Sequence, residues 1–409
     1  MTISTPSLTD KVFEQYEQSV MGTYGRFPIA LERGRGARVW DVDGREYLDF
    51  VAGIATCALG HSHPALTKAV TEQMDKLVHV SNLYYIPNQG ELAQWITERS
   101  VADQVFFCNS GAEANEGAIK LARKYGHRVL GIKTPKILTA HKSFHGRTLA
   151  TVTATGQPKY QKDFKPLVQG FIYAHYNDFR SVECAVRSNP DTVAILLESL
   201  QGEGGVTPGE HAFFQQVREF CTKKKILLIL DEVQVGMGRT GKLWGYENLD
   251  IEPDLFTLAK ALGGGVPIGA LCARKEFALF EPGDHASTFG GNPLATAAGL
   301  AVCRTLEQEN LVEQARVRGV QLRSQLEALQ TQFPEHIEQV RGWGLIQGLV
   351  LKSISAIDVV KCALDKGLLL VPAGPQVVRF VPPLVVTAEE VDQAMSILRE
   401  CLAGLCSAR

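Results

Sequence analysis

The stretch Lys225-Ile-Leu-Leu-Ile-Leu-Asp-Glu232 contains five apolar residues in succession between charged residues. An apolar run of this length without polar alternation is typical of a strand that is buried on both faces, as in the parallel sheets of α/β proteins. The run ends at Asp231, and open α/β sheets bind their ligands at the carboxyl ends of their strands. We therefore predict a central buried strand that delivers Asp231 to a binding site.

Similar short apolar runs recur along the middle of the chain and alternate with helix-period stretches such as 112–125 and 210–223. This alternation predicts an α/β fold in which a mostly parallel sheet is covered by helices on both faces. The predicted strands are 104–108, 136–140, 170–175, 192–197, 226–230, 254–259 and 268–273.

The two ends of the chain have different patterns. Apolar and polar residues alternate on both sides of Asp43-Gly44, which predicts a β-hairpin near the amino terminus. Towards the carboxyl end, two long helical patterns, 294–308 and 311–332, precede strand-like segments and a last helix that begins with a capping box at Thr387.

We predict three parts from these patterns. Residues 1–63 form an amino-terminal segment that contains the hairpin and packs with the small domain. Residues 64–292 form the large α/β domain. Residues 293–409 form a smaller α+β domain.

Charge and composition exclude several classes of protein. The chain has 409 residues, and 42 Lys and Arg residues are balanced by 44 Asp and Glu residues, so we expect no nucleic-acid partner. Its longest apolar runs are far shorter than the ~20 residues that span a bilayer, so we expect no membrane partner. Residues 1–10 show neither a signal-peptide nor a transit-peptide pattern, which predicts a cytoplasmic protein.

Cysteine and histidine residues give no sign of a disulfide framework or a metal site. The nine cysteines include no C-x-x-C pair, as expected for reduced thiols. His61 and His63 lie in Gly-His-Ser-His-Pro, but no third ligand accompanies them. We predict a turn before a helix at this position and no bound metal.

A glycine-rich loop, Gly236-Met-Gly-Arg-Thr-Gly241, has the spacing of a dinucleotide-binding motif. The residues after it include another glycine, Gly245, and show no helical pattern whose amino terminus could bind a pyrophosphate. We favour a flexible functional loop, and an NAD-dependent oxidoreductase stays as an alternative.

A better candidate for a phosphate site lies between the end of the predicted strand 104–108 and the start of the predicted helix 112–125. Ser110, Gly111 and Ala112 are small, so the backbone N–H groups at the helix amino terminus are open to an anion, and the serine hydroxyl adds a donor. A serine before a helix more often serves only as a helix cap, so this segment alone is weak evidence for phosphate binding.

Lys260 closes the run Asp254-Leu-Phe-Thr-Leu-Ala-Lys260 and precedes three glycines. A lysine in such a partly desolvated place loses its proton more readily and becomes a nucleophile. Together, a phosphate site, the carboxylate of Asp231 and this amine match the phosphate, the protonated ring nitrogen and the reactive aldehyde of pyridoxal phosphate (PLP).

At these residues the sequence closely resembles the class III aminotransferases of fold type I. The resemblance extends from about residue 28 to residue 394. It depends on six stretches in the same order, 109–116, 144–148, 231–234, 238–241, 259–265 and 287–293, which begin with Asn-Ser-Gly-Ala-Glu-Ala-Asn-Glu and end with Ser-Thr-Phe-Gly-Gly-Asn-Pro.

The resemblance implies a PLP-transferase fold and a role for each matched position. Lys260 would bind the cofactor covalently, and Asp231 would pair with its ring nitrogen. Phe144 would stack on the ring, and Gln234 would lie near the ring hydroxyl. Thr288 would reach the phosphate of the neighbouring subunit in a homodimer with shared active sites. The full set of expected cofactor-binding residues is Ser110, Gly111, Ala112, Phe144, Glu198, Asp231, Glu232, Val233, Gln234, Lys260 and Thr288.

The resemblance also implies a substrate site formed by Arg147, Glu203, Ser287 and Arg379. Arg147 would hold the carboxylate that is distant from the reacting amine. Arg379 would pair with Glu203 until glutamate arrives, and would then bind the glutamate α-carboxylate.

The expected reaction follows from the same resemblance. N-acetylornithine would donate its terminal amino group to 2-oxoglutarate, with glutamate as the second product. N-succinylornithine, ornithine and 4-aminobutyrate remain alternative donors, because these enzymes share the cofactor site. A regulator that binds PLP without turnover is a further alternative.

Overall fold

The structure, a computed structural model, describes residues 7–407. Residues 1–6, part of the segment used to predict the location, lie outside the described residues. The helices of eight or more residues are Leu8–Ser19, Pro64–Met74, Pro87–Glu98, Gly111–Arg128, Phe179–Arg187, His211–Lys224, Pro293–Gln308, Leu311–Gln332, Ala356–Asp365 and Ala388–Ser407. Short helices and turns are Ala52–Ala55, Leu149–Ala154, Pro158–Tyr160, Gly245–Leu249, Lys260–Gly263 and Lys275–Phe277.

A seven-stranded sheet forms the centre of the molecule, and it contains all seven strands predicted from the middle of the chain. In spatial order the strands are Gln104–Cys108, Gly269–Ala273, Leu255–Leu258, Leu227–Asp231, Thr192–Glu198, Lys136–Ala140 and Phe171–Ala174. Every neighbouring pair is parallel except those of Gly269–Ala273, which runs antiparallel to both of its neighbours. The predicted α/β fold with a mostly parallel sheet is therefore confirmed.

Both faces of this sheet are buried, as the continuous apolar runs predict. In the central strand, Leu228 and Leu230 pack into one hydrophobic cluster. Leu227 and Ile229 point the other way and pack into a second cluster. Because successive strand residues alternate between faces, this arrangement requires apolar residues at every position of the strand.

The predicted amino-terminal hairpin is present. Arg38–Asp41 pairs antiparallel with Glu46–Asp49, and Asp41 Oδ1 accepts hydrogen bonds from the turn amides of Asp43 and Arg45 at 3.1 and 2.8 Å. Leu31–Arg35 extends this sheet on one side. On the other side, Leu368–Leu369 pairs parallel with Glu46–Asp49, so the two ends of the chain share one sheet.

The carboxyl-terminal part contains a second antiparallel sheet, in the order Ile337–Trp343, Ile346–Leu351, Val377–Phe380 and Val371–Pro372. The predicted capping box is present, since Thr387 and Glu390 exchange backbone-to-side-chain hydrogen bonds of 3.1 and 3.2 Å. Helix Pro293–Gln308 packs against helices of the large part, and the proposed division at residues 292 and 293 stays a prediction.

The glycine-rich loop 236–241 is followed by the five-residue 3-10 helix Gly245–Leu249 and not by an α-helix. The alternative of a dinucleotide-binding helix at this loop is therefore wrong. Within residues 7–407, no helix is both long and apolar enough to cross a membrane, and no cluster of three potential metal ligands is present.

Candidate active site

A cavity of about 420 Å³ lies at the carboxyl ends of the central strands. Its walls contain eleven of the residues predicted from the sequence: Ser110, Gly111, Ala112, Phe144, Arg147, Glu198, Glu203, Asp231, Val233, Gln234 and Lys260. Parallel strands bring these distant segments together because their carboxyl ends meet at one edge of the sheet.

The amino terminus of helix Gly111–Arg128 forms one wall of the cavity. Ser110 caps this helix, and its Oγ accepts a hydrogen bond of 3.1 Å from the amide of Glu113. The amides of Gly111 and Ala112 precede the first intrahelical bond, so they are free of helical partners. A Cβ on Gly111 would lie 2.8 Å from Val233 Cγ1, and glycine therefore lets the helix end approach this loop closely. The wall is suited to bind an anion.

Asp231 is buried at the end of its strand and accepts hydrogen bonds on both carboxylate oxygens. Oδ2 accepts from Asn115 Nδ2 at 2.8 Å and contacts His145 Nδ1 at 2.9 Å, and Oδ1 accepts from the Val233 amide at 3.0 Å. Thr257 Oγ1 donates to Asn115 Oδ1 at 2.9 Å, which fixes the orientation of the amide. These contacts fix the orientation of the Asp231 side chain at the cavity wall.

Lys260 begins the 3-10 helix Lys260–Gly263 with a φ of 44°. Within residues 7–407 its amine makes no hydrogen bond, and it lines the cavity. Burial lowers the pKa of the Lys260 amine, although the negative charges of Asp231 and Glu203 oppose this effect. A buried amine with a lowered pKa is a better nucleophile and base than an exposed lysine.

Glu198 lies beside Asp231 on the neighbouring strand, and the two residues are paired in the sheet register. Burial, together with the negative charge of Asp231, raises the pKa of Glu198 well above its usual range. Its carboxyl group accepts hydrogen bonds from the amides of Phe144 and Gly202 at 3.0 and 3.3 Å. Glu198 therefore fixes the loop that carries Phe144.

Arg379 lies behind the cavity wall and is almost completely buried. Its Nη1 donates to Glu203 Oε1 at 2.5 Å and to Gln234 Oε1 at 3.1 Å. Burial raises the pKa of Glu203, but the charge of Arg379 outweighs this effect and the pKa is lowered overall. The structure thus brings together the two residues that were expected to pair.

Arg147 lies at the cavity mouth and is exposed. Its guanidinium makes no hydrogen bond or ion pair with any residue in 7–407. Instead, its Cζ lies 3.8 Å from the ring centroid of Tyr160 and 5.4 Å from that of Phe144. All of its N–H donors are consequently available to a ligand.

Four of the predicted residues do not line the cavity: Arg379, which lies behind its wall, and Glu232, Ser287 and Thr288. Glu232 points away from it, because alternate residues after the strand face opposite sides, and its carboxyl group binds Ser199 Oγ and the Gly245 amide. Ser287 Oγ accepts from Asn109 Nδ2 at 3.1 Å at the edge of the cavity, and Thr288 is exposed to solvent.

Several residues of the site were not predicted. Asn115 and His145 lie within two of the motifs that were recognised, 109–116 and 144–148. Their polar side chains within these motifs were the available sign that they belong to the site. Thr56 lines the cavity after a turn, Ala52–Ala55, in which all four residues have positive φ. No sequence pattern indicates a left-handed turn that contains Ile54, because a β-branched residue rarely adopts this conformation.

Comparison with known proteins identifies the family. The sequence profile of the family Aminotransferase class-III matches residues 20–402. The chain belongs to the class III aminotransferases. As a member of this family it is a PLP-dependent aminotransferase of fold type I, so the expectation of enzyme, fold and cofactor is confirmed, and the non-catalytic regulator is excluded.

Similar proteins cover nearly the whole chain. An acetylornithine aminotransferase from Thermosynechococcus vestitus is 64% identical, over 96% of this chain and 97% of its own length. An acetylornithine aminotransferase from Nostoc sp. is 62% identical, over 98% of this chain and 94% of its own length. Among solved structures, N-acetylornithine aminotransferase from Stenotrophomonas maltophilia has a TM-score of 0.82 at 40% identity, over 94% of this chain and 98% of its own.

Ornithine aminotransferases are also similar in structure. That of Toxoplasma gondii has a TM-score of 0.95 at 33% identity, over 99% of this chain and 97% of its own. A second structure of the T. gondii enzyme, with a TM-score of 0.94 at 33% identity over 98% and 95% of the two chains, has PLP at partial occupancy in its active site.

The cavity of this class III aminotransferase fits PLP in three respects. The helix end at Ser110 offers donors to the phosphate. The carboxylate of Asp231 suits a protonated ring nitrogen. The amine of Lys260 has no hydrogen-bond partner among residues 7–407 and suits the aldehyde.

Proposed function

We propose that this aminotransferase transfers the terminal amino group of N-acetylornithine to 2-oxoglutarate, which yields N-acetylglutamate 5-semialdehyde and glutamate. Its similarity to curated acetylornithine aminotransferases supports this substrate pair, because eight such relatives share 52–64% identity with the chain. Such a reaction is a step in arginine biosynthesis.

The observation that carries the proposal is the different state of the two arginines. Arg379 is already neutralised by Glu203, whereas Arg147 has no charged partner within residues 7–407. N-acetylornithine has one carboxylate, distant from its reacting amine, and Arg147 would bind it. Glutamate carries a second carboxylate beside its reacting amine, and Arg379 would bind that group after leaving Glu203. One site can then accept both substrates in turn.

PLP, when bound, supplies a reactive aldehyde and a ring that accepts electrons. Lys260 Nζ would take the proton from the substrate carbon that bears the amine and return it later in the cycle, as its lowered pKa allows. Asp231 would keep a proton on the ring nitrogen through its negative charge. Phe144 would cover one face of the ring, and Gln234 would lie near the ring hydroxyl.

A homodimer in the cytoplasm completes the proposal. Leu83, Tyr84 and Tyr85 form an exposed apolar strip, with Tyr85 fully exposed in the isolated chain. The neighbouring Asn82 donates hydrogen bonds to the backbone oxygens of Ser287 and Gly290, so this strip is connected to the loop that carries Thr288. A second copy that covers the strip would receive Thr288 at its own phosphate site.

Ornithine is a second candidate donor, favoured by the TM-score of 0.95 to an ornithine aminotransferase. The test is a panel of amino donors assayed with 2-oxoglutarate: N-acetylornithine, N-succinylornithine, ornithine and 4-aminobutyrate. We expect the highest kcat/KM with N-acetylornithine. A higher kcat/KM with ornithine or 4-aminobutyrate would contradict the proposed donor.

A further inference from the structure

The ring of Tyr160 lies against the guanidinium of Arg147, the proposed substrate-binding arginine. The guanidinium carbon of Arg147 lies 3.8 Å from the centroid of the Tyr160 ring, closer than to Phe144. The ring of Tyr160 in turn meets Phe144 edge-on, with centroids 6.0 Å apart and an interplanar angle of 85°. Tyr160 therefore touches both the predicted carboxylate anchor and the aromatic residue at the cofactor site.

A short helix holds Arg147 and Tyr160 together. Helix Leu149–Ala154 begins two residues after Arg147 and is capped by Thr148. At its other end, Gln161 Nε2 donates to the backbone oxygens of Val152, Thr153 and Thr155, the shortest bond being 2.9 Å. Gln161 directly follows Tyr160, so one helix fixes both the arginine and the ring that lies against it.

The position of the guanidinium over the ring has a chemical consequence for Arg147. A guanidinium that lies over an aromatic face is restrained without using its N–H groups, which lie in its own plane. An ion pair would restrain the arginine too, but it would occupy those donors and compete with the substrate. Within residues 7–407 Arg147 has no such ion pair, so the ring replaces a carboxylate as its support.

We propose that Tyr160 is a positioning residue that holds Arg147 ready for bidentate binding of a substrate carboxylate. This inference depends on the proposed role of Arg147. Because that carboxylate is present in both N-acetylornithine and glutamate, Tyr160 supports both half-reactions. The phenol hydroxyl makes no hydrogen bond with residues 7–407, so the ring alone provides the support.

The test compares Tyr160→Leu and Tyr160→Phe, each in the natural chain and in an Arg147→Ala background. The probe is glutarate, a dicarboxylate that cannot react, and its dissociation constant from the holoenzyme is measured by calorimetry. We expect Tyr160→Leu to weaken glutarate binding about tenfold, which lies within the range expected for loss of a cation–π contact. The glutarate dissociation constant of Tyr160→Phe should stay within about twofold of that of the natural chain, since the aromatic ring remains.

The Arg147→Ala background separates positioning from general damage. There, Tyr160→Leu should cause no further loss of glutarate affinity, because the contact no longer exists. An equal loss in both backgrounds would overturn the inference, as would a Tyr160→Phe variant as weak as Tyr160→Leu. Phe164→Leu, an exposed aromatic on the same segment, is the matched control and should leave binding unchanged.

A second ring-deleting variant and the Arg147→Ala chain alone keep the test decisive. If Tyr160→Leu does not fold, Tyr160→Met removes the ring with a flexible side chain and should give the same tenfold loss. If Arg147→Ala alone leaves glutarate binding unchanged, the proposed function of Arg147 fails. If Arg147→Ala weakens binding and neither ring-deleting variant does, only the inference about Tyr160 fails.

Discussion

Arg379 Nη1 lies 2.5 Å from Glu203 Oε1, and the arginine side chain is 1% exposed. A buried cation without a partner would be strongly destabilising, so the carboxylate of Glu203 makes the cation tolerable while the site holds a substrate with one carboxylate. Glu203 is 24% exposed and belongs to the cavity wall. We therefore predict that the Glu203 carboxylate moves aside when a second substrate carboxylate arrives.

Lys260→Ala should abolish turnover and leave the fold and phosphate-site binding largely intact. Phosphate binding should survive because the phosphate site at the helix end is formed by a separate segment. In the natural chain, borohydride reduction followed by peptide mass analysis should locate the cofactor on Lys260. The matched control, Lys242→Ala, removes an exposed lysine and should keep full activity. Cofactor on another lysine would refute the assignment.

Asp231→Asn should lower kcat by about 10² or more, since a neutral amide cannot stabilise positive charge on the ring nitrogen. PLP binding should change less, because the phosphate site is intact. Steady-state kinetics and titration of the apoenzyme with PLP measure the two effects. Asp250→Asn, at an exposed position, is the control. An unchanged kcat in Asp231→Asn would show that its charge has no electronic role.

Glu232→Gln should change the pH dependence of stability. Burial raises the pKa of Glu232 to about 8 from its ordinary value of about 4.5. Between these pH values the folded chain keeps a proton that the unfolded chain releases. The free energy of unfolding therefore falls by up to about 1.4 kcal/mol per pH unit as the pH rises.

The glutamine variant lacks this titration. Relative to it, the natural chain should therefore become less stable from about pH 4.5 to about pH 8 and should stay level above pH 8. Denaturant unfolding of both chains over this range provides the difference in free energy of unfolding. A difference that does not vary with pH would show that Glu232 is not protonated in the folded state.

Hybrid dimers test whether Thr288 serves the other subunit. Lys260→Ala and Thr288→Asp chains should each be inactive alone, the second because its added charge repels phosphate. In a hybrid dimer, one of the two sites receives a natural Lys260 and a natural Thr288. Random exchange of equal amounts should restore about a quarter of natural activity, because half of the dimers are hybrids. Exchange without recovered activity would contradict a shared site.

The strands of the central sheet were predictable because their apolar runs are continuous, and such runs need two buried faces. The direction of Gly269–Ala273 was not predictable, because it depends on how the chain returns to the sheet after Lys260. The hairpin at Asp43 followed from its turn residues, whereas the parallel pairing with Leu368–Leu369 joins distant parts of the chain.

The site residues were predictable where the chemistry of the side chain explains its position at a strand end, as at Asp231 and Lys260. Asn115 was missed because a polar residue inside a helix normally faces solvent, and its burial depends on how the helix packs on the sheet. Tyr160 was missed for a similar reason. Its contact with Arg147 depends on the path of the chain after a six-residue helix, which no local pattern encodes.

The most direct test of the two-arginine site is a single-turnover measurement on Arg379→Ala with each amino donor separately. Loss of the charge-assisted contact to the glutamate α-carboxylate should cost about 2 to 5 kcal/mol in the glutamate half-reaction. The N-acetylornithine half-reaction, which depends on Arg147, should change much less. Arg147→Ala should instead impair both half-reactions. Equal losses in both half-reactions of Arg379→Ala would mean that Arg379 supports the structure and does not select the substrate.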